Sequence, residues 1–298
     1  MANTINLVEK MLPLLDEVYK AEAKSSGLEA PAEFVRESTD AHSVKIAKLA
    51  LTGLGNYSKA TGFPEGDISL TWETHTFTND RGRRFSIDRM DDVESFGLVS
   101  ARMVGEFMRT QVIPEVDAYR FSKIASAGNT TQVEGELTAQ NAKSELDKAI
   151  VTLQEGEVDD SRMVIYMTPT TAQLLSDNII RTVQNGEKGI NNVIESYNGI
   201  QIVRVPQTRF YKGITLDAGA ESNAGGYKKT AGTGADINFI VMDKNACYNV
   251  TKLSVGKLFS PDVNQSKDAW QFDFRLYHDT FILENKAKGI YVHHKVAG

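Results

Sequence analysis

Apolar and polar residues alternate from Ile68 onward in a way that predicts two β-strands. Ile68, Leu70 and Trp72 occupy every second position, Phe85 and Ile87 repeat that spacing, and Asn79-Asp80-Arg81-Gly82 between them has turn composition. The spacing predicts a long hairpin with its turn at 79–82. The apolar phase slips by one between Trp72 and Phe77, which predicts a bulge or twist there. A helical period follows, with Phe96, Val99, Met103 and Phe107, then Val112, Val116 and Tyr119, then Phe121 and Ile124. From Glu94 to Ala125 such a helix spans roughly 48 Å at about 1.5 Å per residue. Pro114 cannot donate to the carbonyl of Thr110, so a kink is expected there, at a cost of about 3 kcal/mol that packing must offset. A two-stranded arm is marginal alone in water because it buries no sheet face. With a basic tip, this one is expected to lie on another subunit.

Upstream, residues 4–24 place Val8, Met11, Leu15, Val18 and Tyr19 on one side of an amphipathic pattern that Pro13 weakens. Residues 25–66 are broken by Pro31, Gly53, Gly55, Gly62 and Pro64 and carry little sign of a self-contained domain. Downstream, Gly128-Asn129 is a break, and Thr138 has the character of an N-cap for a helix that turns Leu146, Ile150 and Leu153 inward. Met163 to Met167 is a short apolar strand. Thr168-Pro169 then starts a capped helix, with Leu174, Leu175 and Ile179 on its buried side. Asn198-Gly199 leads into a strand from Ile200 to Val205, the stretch Gly213 to Gly234 has the composition of a long flexible loop, and Asn238 to Met242 is again apolar. Residues 138–250 thus alternate helix and strand as a compact α/β domain does. In the last fifty residues Trp270, Phe272, Phe274 and Leu276 alternate with Gln271, Asp273 and Arg275, the pattern of a half-buried antiparallel strand. Phe281–Leu283 and Ile290–Val292 flank a turn at Lys288-Gly289, and the long helix is the expected partner of this apolar face.

Composition narrows the function class. The chain has 298 residues, 41% hydrophobic and 24% charged, as in a soluble globular protein of one large or two ordinary domains. Its net charge of −6 argues against tight nucleic-acid binding, which needs an excess of Lys and Arg. The single cysteine, Cys247, excludes an intrachain disulfide framework and a cysteine-cluster zinc site. Glu9, Asp16 and Glu17 interrupt the N-terminal apolar residues, so they form no signal peptide. No run approaches the roughly 18 apolar residues of a membrane span.

Catalytic motifs are not found. The chain lacks the phosphate-loop, dinucleotide, nucleophile-elbow and His-Glu-x-x-His patterns. The acidic group Asp88, Asp91, Asp92 and Glu94 lies where strand passes into helix, and acids there are stabilised by the helix dipole. The adjacent His293 and His294 point to opposite faces of a strand and cannot hold one ion together, although His278 can approach one of them. No catalytic, cofactor-binding or metal-ligating residue is assigned.

The run "TWETHTFTNDRGRRFSIDRMDDVESFGLVSARMVGEFMRTQVIPEVDAYRFSKIA", Thr71 to Ala125, closely resembles the extended loop and spine helix of tailed-bacteriophage major capsid proteins. "NDRGRRFSIDRMD" and "RTQVIPEVDAYRFSKIA" are its most specific parts, and the rest of the chain is similar to that family in order and size. The resemblance implies an α+β fold: an N-terminal arm (1–66), an extended hairpin loop (67–92), a peripheral domain with the spine helix and an antiparallel sheet (93–137 and 251–298), and an axial α/β domain (138–250). It implies a structural protein, not an enzyme, that self-assembles through pentamers and hexamers into an icosahedral shell around phage DNA. That DNA would be contacted non-specifically, and the chain would be assembled in the bacterial cytoplasm and end in the virion.

Expected partners are a portal, head-completion proteins and a separate scaffolding protein, since a hairpin beginning near residue 67 leaves no room for a large built-in scaffold. On the same grounds Asp80, Arg81, Arg83, Arg84, Asp88, Asp91 and Asp92 are candidate intersubunit contacts, because guanidinium forks pair bidentately with carboxylates. The nearer rival is an encapsulin-type compartment that encloses a cargo enzyme in the same fold. The farther is a hydrolase using the Asp88–Glu94 carboxylates, which requires a converging pocket.

Overall fold

The structure is a computed structural model that describes residues 22–30, 35–37, 42–59, 62–94, 98–177, 194–219 and 224–297. Strands β1 (Val35–Glu37), β2 (Ser43–Leu51) and β3 (Ile68–Thr76) form one antiparallel sheet in that order. Then come β4 (Asn79–Asp88), helices α1 (Arg89–Glu94) and α2 (Leu98–Phe107), a π turn (Met108–Val112) and helix α3 (Ile113–Ala125). The next stretch holds β5 (Thr131–Glu134), α4 (Ala142–Glu155), β6 (Met163–Met167) and α5 (Pro169–Asp177). Strands β7 (Ser196–Tyr197), β8 (Ile200–Arg204), β9 (Tyr211–Lys212), β10 (Ile214–Asp217) and β11 (Gly226–Lys229) follow. The last strands are β12 (Ala235–Asp243), β13 (Cys247–Phe259), β14 (Ala269–Ile282) and β15 (Ile290–His294).

The hairpin lies one strand upstream of where the sequence pattern puts it. β3 pairs with β2, from Ser43↔Thr76 to Leu51↔Ile68, and 52–67 joins them. β4 instead pairs along its whole length with β14, from Ala269↔Asp88 to His278↔Asn79. No turn forms at 79–82. Gly82 serves close approach rather than a turn: a Cβ there would sit 2.9 Å from the carbonyl oxygen of Phe274. The phase slip before Phe77 marks the passage of the chain from one sheet to the other, not a bulge. Conversely, the stretch expected to be a flexible loop, 213–234, contains the antiparallel pair β10–β11.

Strand alternation builds a layered core. The large sheet runs β5-β15-β12-β6-β8-β7, with β9 also on β12. Met163, Ile165 and Met167 of β6, with Phe239 and Val241 of β12, face Leu146, Ile150 and Leu153 of α4 and Leu175 of α5. Val164, Tyr166, Ile240 and Met242 face the other way, onto Phe121, Ile124 and Ala125 of α3 and onto Leu28. Because β15 lies between β5 and β12, 290–294 belongs to this sheet and not to that of β14, while Ile290 and Val292 pack with Phe121 and Ile124 of the long helix, their expected partner. The Asn198-Gly199 turn joins β7 to β8 with both residues at positive φ, 50° and 82°, the demand that Asn-Gly meets. Helix α4 has Asn141 and not Thr138 as its N-cap; the Asn141 carboxamide accepts from the Thr138 N–H (2.7 Å) and donates to the Glu136 carbonyl. Thr168 does cap α5, accepting from the Thr171 N–H at 3.2 Å; Ile179 lies outside the described residues.

Between these layers runs the long helix. The register absorbs Pro114 through the π turn before it, where the Ile113 N–H reaches the carbonyl of Met108, and a π turn is an established cause of helix bending. Val104, Met108, Val112 and Val116 pack on Phe272, Phe274 and Leu276 of β14. Further along, every residue of α3 from Val116 to Ser122 is buried, and Asp117 and Arg120 are both 0% exposed.

Asp117 is held by the Ser25 hydroxyl (2.7 Å), the N–H groups of Lys24 and Ser25, and the Arg209 guanidinium at 3.3 Å. Arg120 donates to the same Ser25 hydroxyl at 3.1 Å. A buried ion that loses its partner costs about 3–5 kcal/mol. Asp117→Ala is therefore expected to lower unfolding stability by that order in a urea titration, with a smaller loss for Asp117→Asn; a change under about 1 kcal/mol would contradict this role for the node.

Candidate assembly surfaces

Among the described residues the β2–β3 arm, with one ion pair further out from Lys48 to Glu284 at 3.8 Å, is anchored chiefly at its base. There Val44 and Ile46 join Phe77, Tyr248, Tyr277 and Phe281 in an apolar cluster on the β13–β14 sheet. A hydrogen bond from the Tyr119 hydroxyl to Asp279 (2.9 Å), and two from Thr78 to the same carboxylate (both 2.8 Å), fix the turn of the chain from β3 into β4. Burial pushes the Tyr119 hydroxyl above its ordinary pKa, so it stays a neutral donor. Beyond this base several described side chains of the arm are exposed. Nine-residue strands reach roughly 30 Å at about 3.4 Å per residue. Large apolar side chains stand in solvent along it and at its end: Leu54 is 107% exposed and Phe63 86%, with Leu51, Tyr57, Ile68 and Leu70 each over half exposed. Tyr57 and Phe63 rest against each other, ring centroids 4.9 Å apart.

The charged residues singled out from the sequence sit elsewhere. Most find partners inside the chain. Arg84 makes a two-pronged pair with Asp273 (2.8 and 2.9 Å), its cross-strand neighbour, and Asp80 does so with Arg275 (3.0 and 2.6 Å). These guanidinium bonds hold both carboxyls below the usual carboxylate range. Arg81 forks onto Glu115 of α3 (2.6 and 3.2 Å) and also donates to the backbone carbonyls of Asp217 and Gly226, clamping the β10–β11 pair to the spine. Asp88 accepts from the Met90 N–H, and Asp91 is exposed on α1. The Asp92 side chain lies outside those described.

Arg83 differs from the rest. Its closest acceptor is the Gly219 carbonyl at 3.5 Å, and among the described residues no carboxylate pairs with it. The basic run thus lies on the edge strand of the β13-β14-β4 sheet and not at a hairpin tip.

Arg83 edges a cavity of about 520 Å³ between the spine helix, β4, β14 and the β10–β11 pair. Phe85, Phe107 and Phe274 wall it, with Phe107 edge-on to both of the others, at centroid distances of 4.8 and 5.7 Å. His278, 1% exposed, also lines it, accepting from the Asn79 amide through Nε2 while Nδ1 has no hydrogen-bond partner.

The three histidines weighed as ligands do not converge. His293 accepts from Asn238, and His294 from Lys212. Among the described residues no group of three or more His, Cys, Asp or Glu is placed to hold a metal. The arm's apolar end is the feature that sequence reading missed: Leu54, Tyr57 and Phe63 lie among glycines and prolines without periodicity.

No protein-family model matches the sequence, and no curated protein sequence does. Solved structures do match in fold. A capsid structure of the cyanophage P-SCSP1u is 14% identical, with 88% of this chain and 86% of that chain covered at a TM-score of 0.60. The mature capsid of bacteriophage PhiM1 is 12% identical over 87% and 83%, at 0.54. A virus-like particle from Pyrococcus furiosus is 11% identical over 97% and 100%, at 0.52. The chain has the α+β fold of these shell proteins over most of its length.

The buried histidines give the fold an acid limit. Burial, with Arg120 beside it, pushes His278 down to about 3, and burial also lowers His293. Below the ordinary histidine range the unfolded chain takes up protons that the folded chain refuses, so stability is full above it and falls as pH drops. His278 alone contributes up to about 1.4 kcal/mol per pH unit between roughly 6.5 and its folded value. The thermal midpoint should fall from pH 7 to pH 5, with a shallower slope in His278→Leu; a flat wild-type profile would contradict this. Arg81→Ala should speed amide exchange across Gly226–Lys229, while Arg84→Ala, removing an exposed pair, should change stability by less than about 1 kcal/mol.

Proposed function

We propose that this chain is the major capsid protein of a tailed double-stranded-DNA phage or prophage, a structural rather than catalytic protein. The observation that carries the proposal is the fold match to capsid subunits, which runs through nearly the whole of this chain and of theirs. The arm supports it physically. Six large apolar side chains along and at the end of a projecting hairpin are unfavourable in a lone subunit. Covering them on a neighbour yields on the order of 10 kcal/mol, comparable with the roughly 4–15 kcal/mol that a single association costs in lost freedom. One contact is thus weak, and several per subunit, closed into rings, are strong.

In this reading β2–β3 is the extended loop, the spine helix with β4, β13 and β14 is the peripheral domain, and the β5-to-β7 sheet with α4 and α5 is the axial domain. DNA is enclosed without tight binding, in keeping with the net charge of −6. A scaffolding protein, a portal and head-completion proteins are the further partners, with assembly in the bacterial cytoplasm and the virion as destination. The virus-like particle from Pyrococcus furiosus favours one second reading, a compartment shell around a cargo enzyme.

Light scattering and negative-stain electron microscopy of the purified chain test the proposal. Closed shells or their pentamers and hexamers are expected, and a chain that stays monomeric with and without its scaffold contradicts it. Shells that carry an enzyme in place of nucleic acid decide for the second reading. Leu54→Asp with Phe63→Asp should leave subunit stability within about 0.5 kcal/mol, as for exposed positions generally, while abolishing shells; normal shells from that variant would exclude the arm as the contact.

A further inference from the structure

The cavity of about 520 Å³ beside the spine helix falls within the roughly 300–1,000 Å³ of sites that hold small molecules. Its walls specify the guest. Phe85 and Phe107 are half-buried, so ring surface borders the open space, and Phe107 stands edge-on to Phe85 and Phe274. Met103 and Leu276 extend the apolar lining. An aromatic guest meets ring faces and ring edges there together, the geometry that aromatic pairs prefer. A dry apolar cavity of about 150 Å³ already takes up benzene, so this one admits a fused two-ring molecule.

The charges around it cancel. Arg81 forks onto Glu115, and Lys228 pairs with Asp217 at 3.1 Å. Arg83 and Glu106, both exposed, leave one charge of each sign at the rim. An ion of either sign entering the cavity gives up its hydration and meets no net countercharge, which favours a neutral guest. One polar group interrupts the apolar lining. His278 is 1% exposed, and the Asn79 amide N–H donates to its Nε2. In the neutral ring the proton therefore sits on Nδ1, which has no hydrogen-bond partner among the described residues. Buried polar groups in native structures are seldom left so, and the group this one lacks is an acceptor.

From these observations we infer that the cavity binds a neutral aromatic molecule carrying a hydrogen-bond acceptor, its rings among the phenylalanines and its acceptor on His278. Such a guest touches the π turn at Gln111 and Val112, the β13-β14-β4 sheet and the β10–β11 pair at once. It thereby pins the spine helix at its bend to both. The site is complete within one subunit and does not depend on the shell reading.

Equilibrium dialysis of the full chain against 2-acetylnaphthalene, a neutral two-ring ketone, tests it. Saturable uptake of one molecule per chain is expected, and at a hundredfold excess over Kd the thermal midpoint should rise by about 4 °C. Naphthalene, which lacks the acceptor, and the anion 2-naphthoate should each bind about tenfold more weakly or worse. Gln111→Trp on the helical wall and Ala218→Trp at the end of β10 fill the cavity from exposed positions, so both should fold. Weakened uptake in either variant places the probe in the cavity. No saturable uptake, wild-type affinity in both filled variants, or equal affinity for naphthalene or 2-naphthoate overturns the inference. Uptake by free subunits that is lost in assembled particles gives the cavity to a second copy and overturns it as well. All of these outcomes leave the shell reading as it stands.

Discussion

Everything in the described structure leans on a carboxylate that water does not reach. Asp117 sits on the fully buried part of the spine helix and accepts from Lys24 and Ser25 on one side and from Arg209 on the other. An uncompensated charge at that depth is costly enough to unfold a typical domain. The three segments that satisfy it must therefore arrive together: the chain before β1, the helix, and the loop between β8 and β9. Leu28 and Phe210 pack on the same helix a few residues from these donors. The polar node fixes register, and the apolar contacts around it supply most of the binding. A second carboxylate, Asp279, does the same where the arm leaves the body.

In the proposed assembly, rigidity at these two nodes sets the direction of the arm. A long hairpin with a loose root would search many orientations and lose entropy on docking; one rooted by Thr78, Tyr119 and the Phe77–Phe281 cluster has its direction set in advance. The spine offers a compensating softness. Its π turn before Pro114 lies beside the cavity-lining residues Gln111, Val112 and Glu115. A shell that places one chain in two kinds of ring requires both properties: fixed contacts and a place to bend.

Much of this was legible in the sequence, for identifiable reasons. Met163–Met167 and the Thr168 cap follow from local pattern and end where expected, as does Asn198-Gly199, because each is set by neighbouring residues alone. The hairpin lies elsewhere because Asn79-Asp80-Arg81-Gly82 has the composition of a turn, yet its side chains answer to His278, Arg275 and Glu115, up to about 200 residues away. Local spacing cannot see a partner strand near the other end of the chain. For the same reason β15 was assigned to the wrong sheet, and β10–β11 passed for a loop rich in glycine. The arm end escaped notice because its apolar residues serve no core and so obey no period.

The central claim is that copies of this chain join by an arm that one subunit cannot bury by itself. An electron cryomicroscopy reconstruction of assembled particles tests it most directly. The account predicts density for β2–β3 extended across the next subunit, with the side chains of Tyr57 and Phe63 covered there. An arm folded back on its own subunit, or left uncovered in a closed shell, would contradict it.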